Sequence, residues 1–393
     1  MENVVVLSAV RTPIGRFGGA LAALPAPALG AAAARAALTR AGVDADAVSS
    51  VIFGMARQAG ARPNPARQVL HLSGIPRERN AFTVNLACAS GMLALQLAAD
   101  ELRLGRAKVV VAGGMESMSN VPHILDRMRG GYRLGDAKVV DLMVRDGFHC
   151  PLADMLMGET AELLAQEMGV SRAAQDGFAH ESQQKAGAAW AEGAFRDEIA
   201  LVAIETKKGT LAFAQDEHPR PDTTLDKLGK LPPVFDPKSG TVSAGNSSGI
   251  TDGAAALVLT TESEASRNGW QPIARFLDAH LTGCDPQRMG LGPVPATNQL
   301  FARHGWSVHD FDLFELNEAF AAQVLACLRE LPIPRDRLNV HGGAIALGHP
   351  IGCSGARIVV TLLHALRRRG DRRGLATLCV SGGFGMASAW ELT

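Results

Sequence analysis

The sequence predicts an α/β protein: mainly parallel sheets covered by helices, in two similar halves that flank an inserted region. Three observations point there. Apolar strand-like runs alternate with helical patterns, the arrangement of helices packed on parallel sheets. One sequence unit occurs twice, and between its two copies the chain changes composition.

The first copy is CASGMLALQLAADELRLGRAKVVVAGG (88–114). A Cys-small-Ser-Gly turn is expected to open an apolar helix that ends in a basic turn at Leu104–Arg106. A strand over Lys108–Ala112 should then run into Gly113-Gly114. The second copy is CSGARIVVTLLHALRRRGDRRGLATLCVSGG (353–383), where a Cys-Ser-Gly turn precedes a helix with apolar residues at 359, 362, 363 and 366. Those offsets are helical. Arg367–Arg369 and Gly370 supply a cationic last turn and a stop, and a strand over Leu375–Val380 runs into Gly382-Gly383. The same order found twice reads as internal duplication of a β/α unit.

Residues 119–249 carry more charge, the chain's single Tyr (Tyr132) and the Pro-rich pieces HPRPD (218–222) and LPPVFDP (231–237). They read as an insertion with helices around 159–192 and long loops. SAGNSSGITDGAAALVLTT (243–261) returns to the small, apolar style of the first half. The expected division is an N-terminal half of 1–118 with 250–271, an inserted loop domain of 119–249, and a C-terminal half of 272–393.

Composition excludes several classes. The chain has 393 residues, with 39 Lys+Arg against 39 Asp+Glu, so it offers no electrostatic footprint for nucleic acid. Hydrophobic residues at 47% against 20% charged suit a protein with a sizeable core rather than a disordered one. The Ala-rich run Leu21–Leu38 is broken by Pro25, Pro27 and Arg35, so no membrane span is expected. The opening MENVVVLSAVRTPIG lacks the pattern of a secretory signal. Six scattered Cys without a CxxC pair argue against a disulfide framework or a zinc site. A cytoplasmic protein is expected.

Forty-two glycines, clustered at the ends of apolar runs, mark tight turns where backbone meets another element or a ligand. Cys88 sits at the mouth of a helix, where N–H groups and the helix dipole are expected to lower a thiol below its usual value of about 8.5. The competing reading is a small, inert buried Cys. Cys379 lies at the C-terminal end of a strand, where open α/β sheets place ligands. His349 stands on the Gly-rich loop LGHPIG, pinned by Pro350, and is a candidate general base. Asn317 and Glu318 follow the strand FDLFEL; an N-cap is the plain reading for Asn317. His341 reads as a turn residue. His149 and Cys150 have no partners at ligand spacing, so no metal site is expected.

The strings RTPIGRFGG (11–19), NLACASGM (85–92), GGMESMS (113–119), MGETAE (157–162), GTVSAGNSSGITDGAAAL (240–257), MGLGPVPAT (289–297), NEAFAAQ (317–323), HGGAIALGHPIGCSGAR (341–357) and LCVSGGFG (378–385) stand in one order. Together they resemble the thiolases, most closely the biosynthetic type, acetyl-CoA C-acetyltransferase. RGGYRLGDAKVVDLMVRDG (129–147) in the insertion looks like the same subgroup. The resemblance implies a five-layered αβαβα fold of two duplicated halves, assembled as a homotetramer.

It also implies roles. Cys88 would be the acylated nucleophile and His349 would take its proton. Cys379 would abstract the α-proton of a second acetyl-CoA for a Claisen condensation, and would protonate the leaving carbon in thiolysis. A water held by Asn317, with His349, would form one oxyanion hole; backbone N–H groups of Cys88 and Ser381 would form the other. Coenzyme A would lie across the insertion as substrate or product, with no permanently bound cofactor. Arg220 would meet its nucleotide end, Ser248 the pantetheine, and Met157, Met289, Ala319 and Phe320 the acyl group.

Some residues depart from the pattern: Ser381 for Gly, Leu156 for a His, Lys227 for Ser, His341 for Asn, and the loop FHCPLADML (148–156). These bear on chain length and coenzyme A affinity. The alternatives are a degradative 3-ketoacyl-CoA thiolase acting on longer chains, a ketoacyl synthase, against which Cys379 argues, and a non-catalytic scaffold, which would be expected to lose Cys88, Cys379, Asn317 or His349.

Overall fold

The computed structural model describes residues 2–207 and 209–393. The first half contains β1 (Val4–Arg11), α1 (Ala26–Ala41), β2 (Ser50–Gly54), α2 (Pro65–Leu72), β3 (Asn80–Val84), α3 (Ser90–Arg103) and β4 (Val109–Ser117). The insertion follows, with α4 (Met157–Glu167) and α5 (Arg172–Ala191), before β5 (Thr251–Thr261) completes that half. The second half runs β6 (Ala274–Gly283), α6 (Pro293–His304), β7 (Leu313–Leu316), α7 (Ala321–Glu330), α8 (Ile351–Arg369), β8 (Arg373–Val380) and β9 (Phe384–Leu392).

The two halves pair their strands alike. In the first, β5 is antiparallel to β1 and β4, while β4 and β2 and then β2 and β3 are parallel. In the second, β9 is antiparallel to β6 and β8, β8 is parallel to β7, and a parallel bridge joins Phe314 to Leu338. β1 and β6 meet antiparallel at Val4↔Phe276, so among the described residues one sheet runs β7-β8-β9-β6-β1-β5-β4-β2-β3.

Period-2 alternation explains the layers, because both sheet faces are buried. In β4, Val110 and Ala112 join a central core with Leu95 and Ala98 of α3, Ile358 and Leu362 of α8, and Leu378 of β8. Val109 and Val111 point the other way, toward Leu29 and Ala33 of α1 and Val69 of α2. Leu375 and Ala387 of the second half likewise turn outward onto Leu300 of α6 and Val324 of α7. The result is the αβαβα stack, with α3 and α8 in the middle.

The two central helices touch through glycine. A Cβ on Gly91 would lie 2.8 Å from the Ala356 nitrogen, and one on Gly355 would lie 2.6 Å from the Met92 nitrogen. This reciprocal contact places the two helix N-termini side by side. The insertion is tied to β1 by a buried cluster, in which Arg11 meets Glu198 at 2.5 Å and Asp216 at 2.7 Å.

Three expectations change. The sheet is mixed rather than parallel: β5 and β9 each lie antiparallel between two neighbours and β1 meets β6 antiparallel, so parallel strand pairing among the described residues is confined to β4-β2-β3 and β7-β8. β4 continues through Gly113-Gly114 to Ser117, because those glycines admit the Ala255 and Gly352 carbonyls, 1.9 and 2.2 Å from where a Cβ would stand. The helix after Pro350 begins at Ile351, so Cys353 lies inside α8 rather than in a turn before it. Among the described residues, no helix is long and apolar enough to cross a membrane.

Candidate active site

A cavity of about 290 Å3 opens at the shared N-terminal ends of α3 and α8. Cys88, His349, Cys379 and Ser381 line it, and so do Ser248, Met157, Met289, Ala319 and Phe320. Residues from both halves and the insertion, with Cys88 and Cys379 291 positions apart, are thus brought to one cavity.

Cys88 occupies a short 3-10 turn, Ala87–Ala89, ahead of α3. Ala87 has φ of 43°, a left-handed conformation that costs a residue with a side chain energy and therefore needs support. Ser90 supplies it: its hydroxyl accepts from the Leu86 N–H (2.8 Å) and donates to the Ala87 carbonyl (2.7 Å). The Asn85 side chain accepts from the Ala87 N–H at 3.0 Å.

Burial raises the Cys88 thiol above its ordinary value. Arg57 and the backbone N–H groups of Ser381 and Cys88 act in the opposite direction without overcoming it. The expected lowering at a helix mouth is therefore reversed, because desolvation of the thiolate outweighs the dipole and the nearby donors. Those two N–H groups are nevertheless the pair named above for an oxyanion, and both face the Cys88 sulfur.

His349 is buried, and its Nδ1 lies 2.5 Å from the Ser354 hydroxyl. That hydroxyl donates to the Pro350 carbonyl at 3.0 Å, so it accepts from Nδ1–H, which leaves Nε2 as the imidazole's acceptor. Burial, followed by the cations Arg357 and Arg57, pushes His349 down to about 3. Its ring is neutral across ordinary pH. Cys379, at the end of β8, is raised well above its ordinary value by burial first and then by the neighbouring Cys88.

Asn317 follows β7, but α7 starts only at Ala321, so the N-cap reading fails. Its side chain is buried, and neither Nδ2 nor Oδ1 has a partner among the described residues. Glu318 accepts from the Ser182 hydroxyl (2.6 Å), Asn339 (2.9 Å) and the Ile345 N–H (3.2 Å), which holds this loop against α5.

The cavity wall beside Cys379 is apolar. Met289 and Ala319 pack with Met157 and Phe320 around that thiol. The Ser248 N–H donates to the Ala319 carbonyl at 2.9 Å, and Ser247 bridges Phe320, so the insertion's end is stitched to the second half. Arg220 stands apart, exposed, with its N–H on the Gln183 side chain at 2.7 Å. Lys227 ion-pairs with Asp222 at 2.6 Å. Leu156 and Phe148 of the altered loop line the cavity. His341 sits in its turn, edge-on to Phe195 at 5.7 Å. His149 lies 3.2 Å from Asp154, and among the described residues no group of three or more His, Cys, Asp or Glu could hold a metal.

Two residues absent from the sequence reading stand at the site. Glu116 accepts from the Ala56, Arg57 and Gly352 N–H groups at 3.1, 3.1 and 2.9 Å, clamping the loop after β2 to the start of α8. Arg57 itself lines the cavity. Its place three residues beyond a parallel strand is the same signal that singled out Cys379, and could have found it.

An α/β frame duplicated about two central helices, with a Cys from one half facing a His and a Cys from the other, defines the class. The chain belongs to the thiolase family: the thiolase N-terminal domain matches residues 4–263 and the thiolase C-terminal domain matches residues 270–392. An acetyl-CoA acetyltransferase of Chromobacterium violaceum is 50% identical over 390 residues, 99% of each chain. The crystal structure of the Bacillus anthracis acetyl-CoA acetyltransferase superposes with a TM-score of 0.97 at 43% identity, covering 100% of this chain and 99% of that one. Human mitochondrial 3-ketoacyl-CoA thiolase in complex with CoA gives 0.95 at 42% identity, covering 100% and 98%.

Proposed function

We propose that the chain is an acyltransferase catalysing the reversible Claisen condensation of two acetyl-CoA to acetoacetyl-CoA and CoA through an acyl-cysteine. One observation carries this: a single cavity holds Cys88, His349 and Cys379, with the Ser381 and Cys88 N–H groups turned to the Cys88 sulfur. Full-length relatives named acetyl-CoA acetyltransferase favour it over a degradative thiolase.

In condensation, Cys88 Sγ bonds the acetyl carbon as that carbon's bond to the CoA sulfur breaks. The Cys88 proton passes through Nε2 of His349 to the departing CoA thiolate. A thiol suits this step because exchange between thioesters is nearly isoenergetic, and the covalent intermediate divides the reaction in two. Cys379, acting as its thiolate, then takes the α-proton of the second acetyl-CoA and becomes the thiol, while the carbanion attacks the acyl carbon and expels the Cys88 sulfur as a thiolate. The Cys379 proton returns to Cys88, which closes the cycle.

The unpartnered Asn317 amide supports a water held for the first oxyanion hole. The substrates bring the reactive groups, so the chemistry needs no resident cofactor. Exposed apolar side chains in the insertion, among them Leu125, Met128, Leu134 and Leu152, support assembly as a homotetramer. Six unpaired cysteines support a cytoplasmic setting.

The test is thiolysis of acetoacetyl-CoA by CoA, beside 3-ketohexanoyl-CoA and a longer homologue, with Cys88→Ala as the blank. Turnover of acetoacetyl-CoA at least as fast as the rest supports the assignment. Preference for the longest chain moves it to a degradative thiolase, and no turnover at all removes both.

A further inference from the structure

Arg57 presents a buried cation to the cavity, with the acid Glu116 as a charged neighbour but no salt bridge among the described residues. The residue is 8% exposed and follows β2 in the loop Met55–Gln58. Its Nη2 donates to the Gly147 carbonyl at 2.7 Å, while Nε is buried without a partner among the described residues. Glu116, the acid beside it, spends its oxygens on the Ala56, Arg57 and Gly352 N–H groups. Gly147 makes room for the guanidinium, since a Cβ there would stand 2.7 Å from Nε. A cation taken from water without a paired anion is costly, and a guanidinium fork matches a carboxylate in shape as well as charge.

The surroundings say where such a carboxylate would come from. Cys88 packs against Ala56, Met118 and Ile351, an apolar patch that Phe148 joins, and Arg57 lines the same cavity. An acyl chain on Cys88 therefore borders this patch with the guanidinium at its margin. The Cys379 side, walled by Met289, Ala319, Met157 and Phe320, offers no cation.

We propose that Arg57 is a specificity residue that accepts acyl groups ending in a carboxylate, so that besides acetyl-CoA the enzyme takes mono-CoA thioesters of short dicarboxylic acids at Cys88. This deepens the thiolase reading and rests on it. The bonds made and broken are those already described, and the terminal carboxylate takes no part in them. The product with acetyl-CoA is a 3-ketoacyl-CoA with a terminal carboxylate, and the same compound is the substrate for thiolysis.

The test compares thiolysis of 3-ketoadipyl-CoA with that of 3-ketohexanoyl-CoA, which has the same six-carbon chain without the charge, and with acetoacetyl-CoA. The wild-type enzyme is expected to favour the carboxylate over its neutral counterpart by about tenfold or more in kcat/KM, since a site built for a polar group rejects the analogue lacking it. Arg57→Met should bring that ratio to about one or below. Arg57→Lys, which keeps the charge and loses the fork, should retain part of it.

The ratio is the diagnostic quantity. If Arg57 serves only the Cys88 thiolate or a phosphate of CoA, Arg57→Met slows all three substrates alike, the ratio stays fixed, and the proposal falls. A wild-type ratio near one also overturns it, with no variant needed. Absence of acetoacetyl-CoA turnover in the wild type would instead overturn the thiolase assignment, so the two failures are distinguishable.

Discussion

The starts of α3 and α8 are the same device put to two uses. Aligned through the Gly91 and Gly355 contact, Ser90 matches Ser354, Asn85 matches His349, and Cys88 matches Gly352. Both serines brace the residue just before the helix: Ser90 holds the left-handed Ala87 turn and Ser354 holds the His349 ring. The cysteines of the two sequence strings differ. Cys88 faces the cavity, whereas Cys353 lies one position out of register with it, buried in α8 with its thiol pushed up to about 12. The duplication thus preserves a frame, and the two copies divide the chemistry, nucleophile from one and base from the other.

The largest effect should separate those two cysteines. Cys88→Ala is expected to cost about four orders of magnitude or more in thiolysis. Cys353→Ala should stay within about twofold in activity and lower the unfolding free energy measured in urea by about 1 kcal/mol, the usual cost of a small core truncation. If Cys353→Ala were as inactive as Cys88→Ala, the division between the copies would be wrong.

Next come the groups on the His349 side. His349→Ala should lower kcat by about 10²–10⁴, the range of a positioned proton-transfer group. Because its ring stays neutral down to about 3, the wild-type profile should show no acid limb from His349 between pH 5 and 8. Asn317→Ala should cost about 10²–10³ in kcat, as for one oxyanion donor, with little change in stability. Retention of full activity by Asn317→Ala would show that its unpartnered amide serves something else.

A smaller effect tests the braces against each other. Ser354→Ala should reduce kcat about 10–100-fold by releasing the imidazole, as loss of a residue that orients a functional histidine does. Restored activity in Ser354→Thr would confirm that the hydroxyl, and not the packing, is responsible. Equal losses of kcat and of folding stability would point to a purely structural part.

The smallest expected signal is a pH dependence. In the free enzyme the Cys88 thiol sits above its ordinary value, so the thiolate grows as pH rises and alkylation should accelerate into the alkaline range without levelling near neutrality. A plateau near neutrality would mean that Arg57 and the two N–H groups outweigh burial.

Much of this was legible from the chain. The repeated order of turn, helix, basic turn and strand announced the duplication, because helical and strand periods are local properties of a sequence. The insertion showed in its prolines and charge. Cys88, His349 and Cys379 stood out because a Gly-rich loop or a strand end is where ligands meet backbone. Asn317 was harder to read: a cap and an unpartnered amide look identical in sequence, and only the helix start at Ala321 separates them. Arg57 carried only the weak signal of its place just beyond a parallel strand, where a charged residue is ordinarily solvated.

The sequence by itself determined the two halves, the insertion between them and the residue types that the chemistry requires. Tertiary structure decided that two of the six cysteines, Cys88 and Cys379, meet in one cavity, that the Cys88 thiol is raised rather than lowered, and that Arg57 is buried beside it. The reason is physical: helix and strand preferences act over a few neighbouring residues, whereas desolvation and Coulomb interactions depend on groups that only folding brings within a few ångströms.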